Sequence, residues 1–265
     1  MDSQEPLLTI ETTGHLATVT LNRPNSFNAL SEALLISLQQ TLTDIADNDA
    51  IHVVILAANG RAFCAGHDLK EMRNPKESTP DLDYYRSLFA RCGNVMKTIA
   101  SMQQPVIAKV QGMATAAGCQ LVGTCDLAVA SDNATFAVSG INVGLFCSTP
   151  AVALSRNVSR KRAFEMLATG DFISASQAAD WGLINRAVPA EDLDKATNEL
   201  AQNLLKKSAV ALRTGKQMFY RQLEQGLSGA YDYAGEVMAC NMMADDTVAG
   251  IDAFIQKKTA TWKHR

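Results

Sequence analysis

Two loops of the sequence consist largely of small residues, and each follows a short apolar run. FCAGHDL follows HVVILAANG, and GMATAAGCQL follows VIAKV. Small side chains let a ligand approach the backbone closely, and a helix beginning at about Ala117 would present unpaired N–H groups and the positive end of its dipole. Two backbone N–H groups from such loops could stabilise a developing oxyanion. The alternative, which periodicity alone favours, is that small residues only permit tight packing of helix on strand.

Other catalytic patterns are missing from the sequence. It contains no G-x-G-x-x-G, Walker-type or zinc-binding pattern, and no G-x-S-x-G nucleophile elbow. His67 is one of four histidines, and none of them pairs with another at metal-ligand spacing. We therefore expect no metal site and no separate cofactor.

Strands alternate with helices through much of the chain, which predicts an α/β body. A hairpin is expected around Thr13-Gly14, a helix from the N-cap Ser31 to about Ile45, and a second helix from about Asp81 to Met102 after a polar stretch, Asn74 to Pro80. The apolar runs predict buried strands; they are HVVILAANG, PVIAKVQG, CDLAVAS and ATFAVSG. From Pro150 onward helices dominate, broken by a short strand near 184–188.

The C-terminal part contains few segments with the residue pattern of a strand. Its predicted helices have apolar faces that this part of the chain cannot cover alone. It must pack on its own body or on another subunit. The sequence thus predicts an α/β body with the ligand site over residues 1–195 and a helical packing region over residues 196–265. The helical stretches are expected near 190–206, 208–223, 229–244 and 246–257.

Composition limits the partners and the compartment. The 265 residues carry a net charge of -3 with mixed signs, so neither nucleic acid nor an anionic membrane is an expected partner. No apolar run approaches the roughly 20 residues of a membrane helix. The start MDSQEP is neither a signal peptide nor a transit peptide, and the six cysteines are scattered as in reduced intracellular proteins. We therefore expect a cytoplasmic protein.

Several stretches resemble one family, and they occur in the family's order over nearly the whole chain. They are LNRPNSFNAL, GRAFCAGHDLKEM, PVIAKVQGMATAAGCQLVGTCDLAVAS, FISASQAADWGLINRAVP and FIQKKTATW, and they resemble the enoyl-CoA hydratase/isomerase (crotonase) superfamily. AAGCQL, NVGLFCSTPAVAL and GKQMFYRQL are most similar to its branch called enoyl-CoA hydratase domain-containing protein 3. The resemblance implies a crotonase-like spiral of ββα units with a helical C-terminal region, assembled as a homotrimer or a dimer of trimers. It also implies an acyl-CoA thioester as ligand, with coenzyme A part of the substrate.

The resemblance also implies site residues. The oxyanion donors would be the backbone N–H groups of His67 and Ala117, and the Ala65 carbonyl would lie near the adenine amino group. Asp68 would cap or brace its loop. The full set of implied substrate-binding positions is Arg23, Ala65, Gly66, Asp68, Leu69, Lys70, Gly118, Ser148, Lys257 and Lys258. Among these, Arg23 and Lys70 are candidates for the CoA phosphates, and Lys257 or Lys258 for a CoA bound by a neighbouring subunit, although each cation could equally be a solvated surface charge.

The sequence departs from the family's hydratases at both catalytic glutamates, whose positions are occupied here by Gln120 and Gly140. A glutamine can hold a water but cannot accept a proton at neutral pH, and glycine offers no side chain. Because general acid–base groups contribute roughly 10²–10⁴ each, hydration by the usual route should be lost. The Gly140 position could instead admit a substrate carboxylate, and Cys147 could be reactive, although a small buried hydrophobe is the favoured interpretation of that cysteine.

Four functions therefore remain open. They are an acyl-CoA enzyme with altered or weak chemistry, a true enoyl-CoA hydratase of fatty-acid metabolism that uses substitute groups, a non-catalytic acyl-CoA binder, and a scaffold that has lost the ligand. Intact small-residue loops favour the first three. If only the acids are missing, Gln120→Glu combined with Gly140→Glu should raise hydration.

Overall fold

The computed structural model describes residues 5–73 and 81–264. The stretch expected to be polar, Asn74 to Pro80, therefore lies outside the described residues, as do the first four residues of the chain. The strands are β1 (Leu8–Thr13), β2 (Leu16–Leu21), β3 (Val53–Ala58), β4 (Ala62–Cys64), β5 (Val106–Val110), β6 (Met113–Thr115), β7 (Leu127–Ser131), β8 (Thr135–Ala137), β9 (Ile173–Ser174) and β10 (Arg186–Val188). The α-helices are α1 (Glu32–Ala46), α2 (Leu69–Met72), α3 (Leu82–Ser101), α4 (Ala117–Thr124), α5 (Ser148–Asn157), α6 (Arg160–Thr169), α7 (Ala175–Trp181), α8 (Leu193–Leu205), α9 (Ala209–Leu223), α10 (Leu227–Met242) and α11 (Asp245–Ile255). Short 3₁₀ helices lie at Pro24–Ser26, Ser139–Val143 and Ala190–Asp192.

Consecutive pairs of strands give the fold its spiral. In the pairs β3/β4, β5/β6 and β7/β8, the first strand joins a six-stranded sheet of order β1-β2-β3-β5-β7-β10. The second strand joins a four-stranded sheet of order β4-β6-β8-β9. Pairing is parallel except in the hairpin β1–β2 and between β8 and β9. Because helices follow each pair, the predicted α/β spiral of ββα units is confirmed.

Strand β3 shows why the central strands are continuous apolar runs. Val54 and Leu56 face the main core, whereas Val53 and Ile55 pack in a second cluster with Ala201 of α8. A strand covered on both faces by helices needs apolar residues at every position. The run HVVILAANG is therefore the signature of a strand at the centre of a covered sheet.

Helix caps fix the predicted helix boundaries in the first half of the chain. The Ser31 hydroxyl accepts a hydrogen bond from the Leu34 N–H at 3.2 Å, at the start of α1. The Asp81 carboxylate accepts from the Asp83 and Tyr84 N–H groups at the start of α3. Each cap satisfies donors that the first helical turn leaves unpaired. The sequence predicts the Ser31 cap and, for the second helix, a start at about Asp81.

A buried ion pair ties the helical C-terminal region to the sheet. The Lys216 ammonium of α9 donates to Asp126 Oδ2 at 2.7 Å and to the backbone carbonyls of Ile99 and Gln104. Asp126 Oδ2 also accepts from the N–H of Val106, the first residue of β5. Burial lowers the pKa of Lys216, and the neighbouring Asp126 carboxylate opposes that shift. Helix α8 runs across the predicted boundary at residue 195 and packs on the sheet, so the two parts of the chain are closely joined.

The last two helices leave large apolar side chains exposed. No residue of α10 is buried. Leu227, Tyr231 and Met238 of α10 and Phe254 and Ile255 of α11 are more than two-thirds exposed. The expectation that this region packs on another subunit stays a prediction. No helix in the described ranges is long and apolar enough to span a bilayer.

Candidate functional site

A cavity of about 330 Å³ lies where the two small-residue loops meet. Strands β4 and β6 are parallel neighbours, so the loops that follow them emerge at the same edge of the sheet. The cavity brings together residues of both loops with residues of the 139–150 segment. Of the positions singled out by sequence, those that line it are Ala65, His67, Leu69, Ala117, Gly140, Cys147 and Ser148.

Glycines at two positions allow the loops to touch. A Cβ atom on Gly66, whose φ is +88°, would lie 2.9 Å from the Ala116 Cβ and 3.2 Å from the Ala117 nitrogen. A Cβ atom on Gly118 would overlap the carbonyl oxygen of Cys64. The packing interpretation therefore holds for Gly66 and Gly118. Ala65 and Ala117 line the cavity, and the interpretation that the small residues admit a ligand stays a prediction.

Two backbone N–H groups at the cavity have no acceptor among the described residues. The Leu30 N–H donates to the Gly66 carbonyl and the Asp68 N–H donates to the Leu30 carbonyl, which leaves the N–H of His67 between them unused. Ala117 is the first residue of α4, and the first N–H groups of a helix lack intrahelical acceptors. Unpaired donors beside a cavity can bind a polar atom of a ligand.

The residue just before α4 has a strained backbone. Ala116 has φ +51° and ψ −120°, a combination that L residues rarely adopt and that costs of order 1–3 kcal/mol. Its N–H donates to the Ala137 carbonyl at 3.0 Å, which holds this conformation. The strained peptide therefore sets where the Ala117 N–H lies.

The His67 side chain is neutral in the folded protein. Its ring packs edge-on against Phe89 with centroids 5.6 Å apart. Both ring nitrogens are buried and have no hydrogen-bond partner in the described parts of the chain. Burial lowers the pKa of His67 to about 4, so the imidazole adds no charge to the cavity at neutral pH.

This low pKa of His67 predicts that stability falls on acidification. The unfolded chain takes up the proton below about pH 6.5, whereas the folded ring stays neutral to about 4, so stability is lost as pH drops through that window. We expect His67→Phe to reduce the loss between pH 7.5 and 5.5 by about 1.3 kcal/mol, measured by urea unfolding at both values. Equal pH dependence in the variant and the parent protein would contradict a buried, neutral His67.

Gln120 and Gly140, the positions predicted to have lost the catalytic glutamates, differ in their surroundings. Gln120 is 4% exposed, its Oε1 has no partner in the described residues, and it does not line the cavity. Gly140 lines the cavity, but a Cβ atom there would lie 2.5 Å from the Leu145 carbonyl oxygen and 2.7 Å from the Cys147 Sγ. The idea that Gly140 leaves room for a substrate carboxylate is therefore wrong, because the 145–147 segment fills that space.

Cys147 lines the cavity as a protonated thiol. Burial raises its pKa, and the Gly140 backbone N–H that hydrogen-bonds to the sulfur opposes the shift only in part. Because the thiolate is the nucleophile, this environment favours the interpretation of Cys147 as a small buried side chain.

Arg23 and Asp68 brace the first loop. The Arg23 guanidinium donates to the Ala29 carbonyl at 2.5 Å and to Asp68 Oδ2 at 3.1 Å. Asp68 Oδ1 accepts from the Lys70 N–H and caps α2, which is the capping role predicted for it. Since the guanidinium already serves these internal contacts, a role for Arg23 at the CoA phosphates remains a prediction.

The remaining predicted cations lie away from the cavity wall. Lys70, Lys257 and Lys258 are exposed and do not line the cavity. Lys258 Nζ donates to Gln256 Oε1 at 3.0 Å. No group of three or more His, Cys, Asp or Glu side chains within residues 5–73 and 81–264 is placed to hold a metal ion.

The sequence reasoning missed most of the apolar side chains that line the cavity. They come from α2, α3 and the 139–147 segment, and they are Met72, Phe89, Val143, Leu145 and Phe146. The run NVGLF was a usable signal, because three large apolar residues cluster in it within a loop. Phe89 gave no such signal, since a helical apolar residue belongs by default to the core.

Comparison with known proteins identifies relatives over nearly the whole length. The chain is 46% identical over 246 residues to the rat protein "Enoyl-CoA hydratase domain-containing protein 3, mitochondrial", covering 93% of this chain and 81% of the rat protein. The human protein of the same name is 45% identical, with 93% and 80% covered. The resemblance to this branch is thus confirmed. The expected cytoplasmic location is contradicted, because these relatives are named as mitochondrial.

Similar solved structures and a family profile point to the same family as these relatives. The crystal structure of an enoyl-CoA hydratase from Mycobacterium smegmatis matches with a TM-score of 0.94 and 52% identity, covering 97% of this chain and 99% of that one. The structure of human enoyl Coenzyme A hydratase domain-containing protein 3 matches with a TM-score of 0.92 and 42% identity, covering 97% and 100%. The profile of the family described as "Enoyl-CoA hydratase/isomerase" matches residues 11–265. The chain therefore belongs to the enoyl-CoA hydratase/isomerase family.

Proposed function

We propose that this chain binds an acyl-CoA thioester and stabilises negative charge on the thioester oxygen with the backbone N–H groups of His67 and Ala117. The observation that carries the proposal is the pair of acceptor-free N–H groups on two touching loops beside one cavity. Ala117 also begins α4, whose N-terminal dipole favours negative charge. Family membership supports an acyl-CoA as the ligand.

The chemistry supported by this site is enolate stabilisation without the family's usual hydration. When a base takes a proton from the carbon next to the thioester, charge moves to the oxygen, and one such backbone donor contributes roughly 10²–10³ in rate. The side chains that line the described cavity do not supply that base. Hydration also needs a group that activates water and one that delivers a proton, and Gln120 and Gly140 supply neither. We therefore expect the reaction of this chain to be altered or weak.

A non-catalytic acyl-CoA binder is the second candidate. It is favoured by the neutral state of the titratable side chains that line the described cavity. Burial keeps His67 unprotonated and Cys147 a thiol, so neither is an effective proton acceptor at neutral pH. A hydratase that uses substitute groups would need a base from elsewhere.

The proposal also covers the rest of the ligand and the assembly. The Ala65 carbonyl would accept from the adenine amino group, and the cations Lys70, Lys257 and Lys258, which are exposed in the single chain, would be available to phosphates. The exposed apolar side chains of α10 and α11 support a homotrimer or a dimer of trimers. A monomer mass by light scattering would contradict this assembly.

Titration calorimetry with butyryl-CoA tests the binding proposal, and a proline substitution tests the donor. Ala117→Pro removes the N–H, and proline is tolerated at the first position of a helix. We expect affinity to fall by about tenfold or more, because an unpaired buried acceptor costs about 1–3 kcal/mol. Arg160→Pro, at the first position of α6 and outside the cavity, is the matched control and should bind normally.

Two results would overturn the proposal. One is an absence of binding by the folded parent protein to several acyl-CoAs. The other is unchanged affinity in an Ala117→Pro variant whose circular dichroism and melting temperature match those of the Arg160→Pro control.

A further inference from the structure

Three histidines meet at the edge of the six-stranded sheet where β2 and β3 begin. His15 directly precedes β2, His52 directly precedes β3, and His264 lies near the C-terminus. We infer that their imidazoles form a pH-sensitive contact, which holds the C-terminal segment 262–264 on the body while the rings are neutral and releases it when they take up protons. The polar cavity beside them shares no residue with the cavity described above, so the inference does not depend on the proposed function.

The three imidazole rings lie against one another. His15 and His52 stack face to face, with centroids 4.1 Å apart and an angle of 4° between their planes. The centroid of His264 lies 4.4 Å from that of His52 and 6.0 Å from that of His15. Like charges at such distances repel each other strongly when they are partly desolvated. The cluster therefore accommodates protons less well than three separate histidines would.

A few specific hydrogen bonds anchor the C-terminal segment. The Trp262 indole N–H donates to the Lys206 carbonyl at 2.7 Å. The backbone N–H groups of Lys263 and His264 donate to the carboxylate of Asp246 in α11. Backbone amides held in this way exchange with solvent when the segment lifts off, so their exchange reports its release.

The contact between His264 and α9 requires an unprotonated ring nitrogen. His264 Nδ1 accepts a hydrogen bond from the N–H of Ala209, the first residue of α9, at 3.2 Å. The neutral ring therefore carries its proton on Nε2, and a second proton must go to Nδ1. Because an imidazolium has no acceptor, protonation removes this hydrogen bond and leaves two donors facing each other.

His52 lies between the other two rings, where a charge is unfavourable. Burial lowers its pKa to about 4, and the nearby His15 and His264 act in the same direction. Once His264 leaves, His52 is less buried and has one neighbouring ring fewer, so its pKa moves back toward about 6.5. The released form then binds more protons than the docked form between about pH 6.5 and 4, and docking weakens as the pH falls through that window.

The other groups around His52 do not cancel this effect. His52 and His264 line a polar cavity of about 230 Å³, which opens them to solvent. Beside burial and the two rings, the Asp49 carbonyl raises the pKa of His52 and Arg213 of α9 lowers it. The Asp49 carboxylate is largely exposed and lies 3.9 Å from the Arg213 guanidinium, so its charge is already shared with that cation.

Asp246 remains ionised while the histidines titrate. Burial works against its charge, but the hydrogen bonds from Ser208, Lys263 and His264 outweigh burial and lower the pKa of this carboxyl. Its charge attracts a protonated His264, yet it contacts backbone N–H groups of the segment and cannot replace the hydrogen bond from Ala209. Release between pH 7.5 and 5.5 would therefore come from the histidines rather than from Asp246.

Hydrogen exchange of a C-terminal peptide that contains Trp262 to His264, measured by mass spectrometry, tests the inference. Dividing the intrinsic rate at each pH by the observed rate gives the protection factor of the segment. Between pH 7.5 and 5.5 we expect this factor to fall at least about threefold, and about tenfold if the pKa of His52 returns from about 4 to about 6.5 on release. An unchanged protection factor would overturn the inference.

Two substitutions remove the titration and keep the contacts. His52→Phe retains a flat ring in the stack, and His264→Asn retains an acceptor near the Nδ1 position for the Ala209 N–H. Each variant should show a smaller fall than the parent protein, and the double variant should change by less than about twofold. A fall in the double variant as large as that in the parent protein would overturn the inference, because these histidines would then not be its cause.

His67→Phe is the matched control, since it removes a buried, neutral histidine outside the cluster. His67 lines the first cavity and packs against Phe89, so this variant should keep the fall seen in the parent protein. Loss of that fall in His67→Phe would also overturn the inference, because acid would then act through the whole fold. Circular dichroism at both pH values verifies that each protein is folded, and the two single variants decide the test if the double variant is not.

Discussion

Hydration of crotonyl-CoA by this protein should be at least about 10⁴-fold slower than by a family member with both catalytic glutamates. The family resemblance predicts that Gln120 and Gly140 stand at the positions of those acids, and each general acid–base group contributes roughly 10²–10⁴. Such groups act as a unit, so losing both does not simply multiply the two losses. The assay follows the enoyl thioester absorbance at substrate concentrations shown by calorimetry to saturate the site.

The structure changes how this deficiency can be tested by mutation. Gln120→Glu should fit without movement of the surrounding residues, because the two side chains are nearly the same size. Gly140→Glu cannot, because even its Cβ atom would overlap the Leu145 carbonyl oxygen and the Cys147 sulfur. We therefore expect the double variant to lose stability and to gain no hydration, contrary to the expectation from sequence.

Two controls make the hydration result decisive. Gly140→Ala should lower the melting temperature, because the added Cβ atom overlaps the same two neighbours. Gly144→Ala should lower it less, because a Cβ atom there meets no other atom and only the φ of +80° causes strain. Hydration by the parent protein at a rate typical of the family would contradict the account, and so would a stable double variant with restored activity.

The second large effect is expected on stability, from the buried pair of Lys216 and Asp126. Lys216→Met should lower the free energy of unfolding by about 3–5 kcal/mol, because it leaves the Asp126 carboxylate buried without its counter-ion. Combining it with Asp126→Leu should recover part of the loss, since the unpaired charge is then gone. Urea unfolding at pH 7.5 gives the free energy of unfolding of the parent protein, of Lys216→Met and of the double variant.

An exposed pair supplies the comparison for this stability experiment. Lys109 and Asp194 also lie 2.7 Å apart, but Asp194 is largely exposed, and such pairs contribute about 0–1 kcal/mol. Lys109→Met should therefore change stability by less than about 1 kcal/mol. If Lys216→Met is no more destabilising than Lys109→Met, the ion pair does not hold α9 on the sheet as we describe.

Local patterns in the sequence were sufficient to predict most of the fold. The apolar run around Val53 to Ala58 is a strand covered on both faces, and Ser31 and Asp81 cap the helices that they were expected to begin. These features depend on neighbours within a few residues, so they can be recognised in one sequence. The arrangement of these elements as a spiral of ββα units came from the family resemblance, whereas the order of the strands was not predicted.

Contacts between distant residues could not be predicted in the same way. Arg23 and Asp68 are separated by 45 positions and still form an ion pair, which gives Arg23 a bracing contact that its charge alone did not reveal. Gly140 was predicted to leave an open space, but the turn that follows brings Cys147 back against it. Such proximity depends on the path of the backbone, which residue types alone do not specify.

The central claim is that two backbone N–H groups bind the thioester oxygen, and one comparison of ligands tests it without any mutation. Butyryl-CoA carries that oxygen, whereas the thioether S-butyl-CoA lacks it and is otherwise nearly the same size. If the N–H groups of His67 and Ala117 bind the oxygen, calorimetry should show the thioester binding at least about tenfold more tightly, because the thioether leaves both donors unpaired. Equal affinity of the two ligands would contradict the claim.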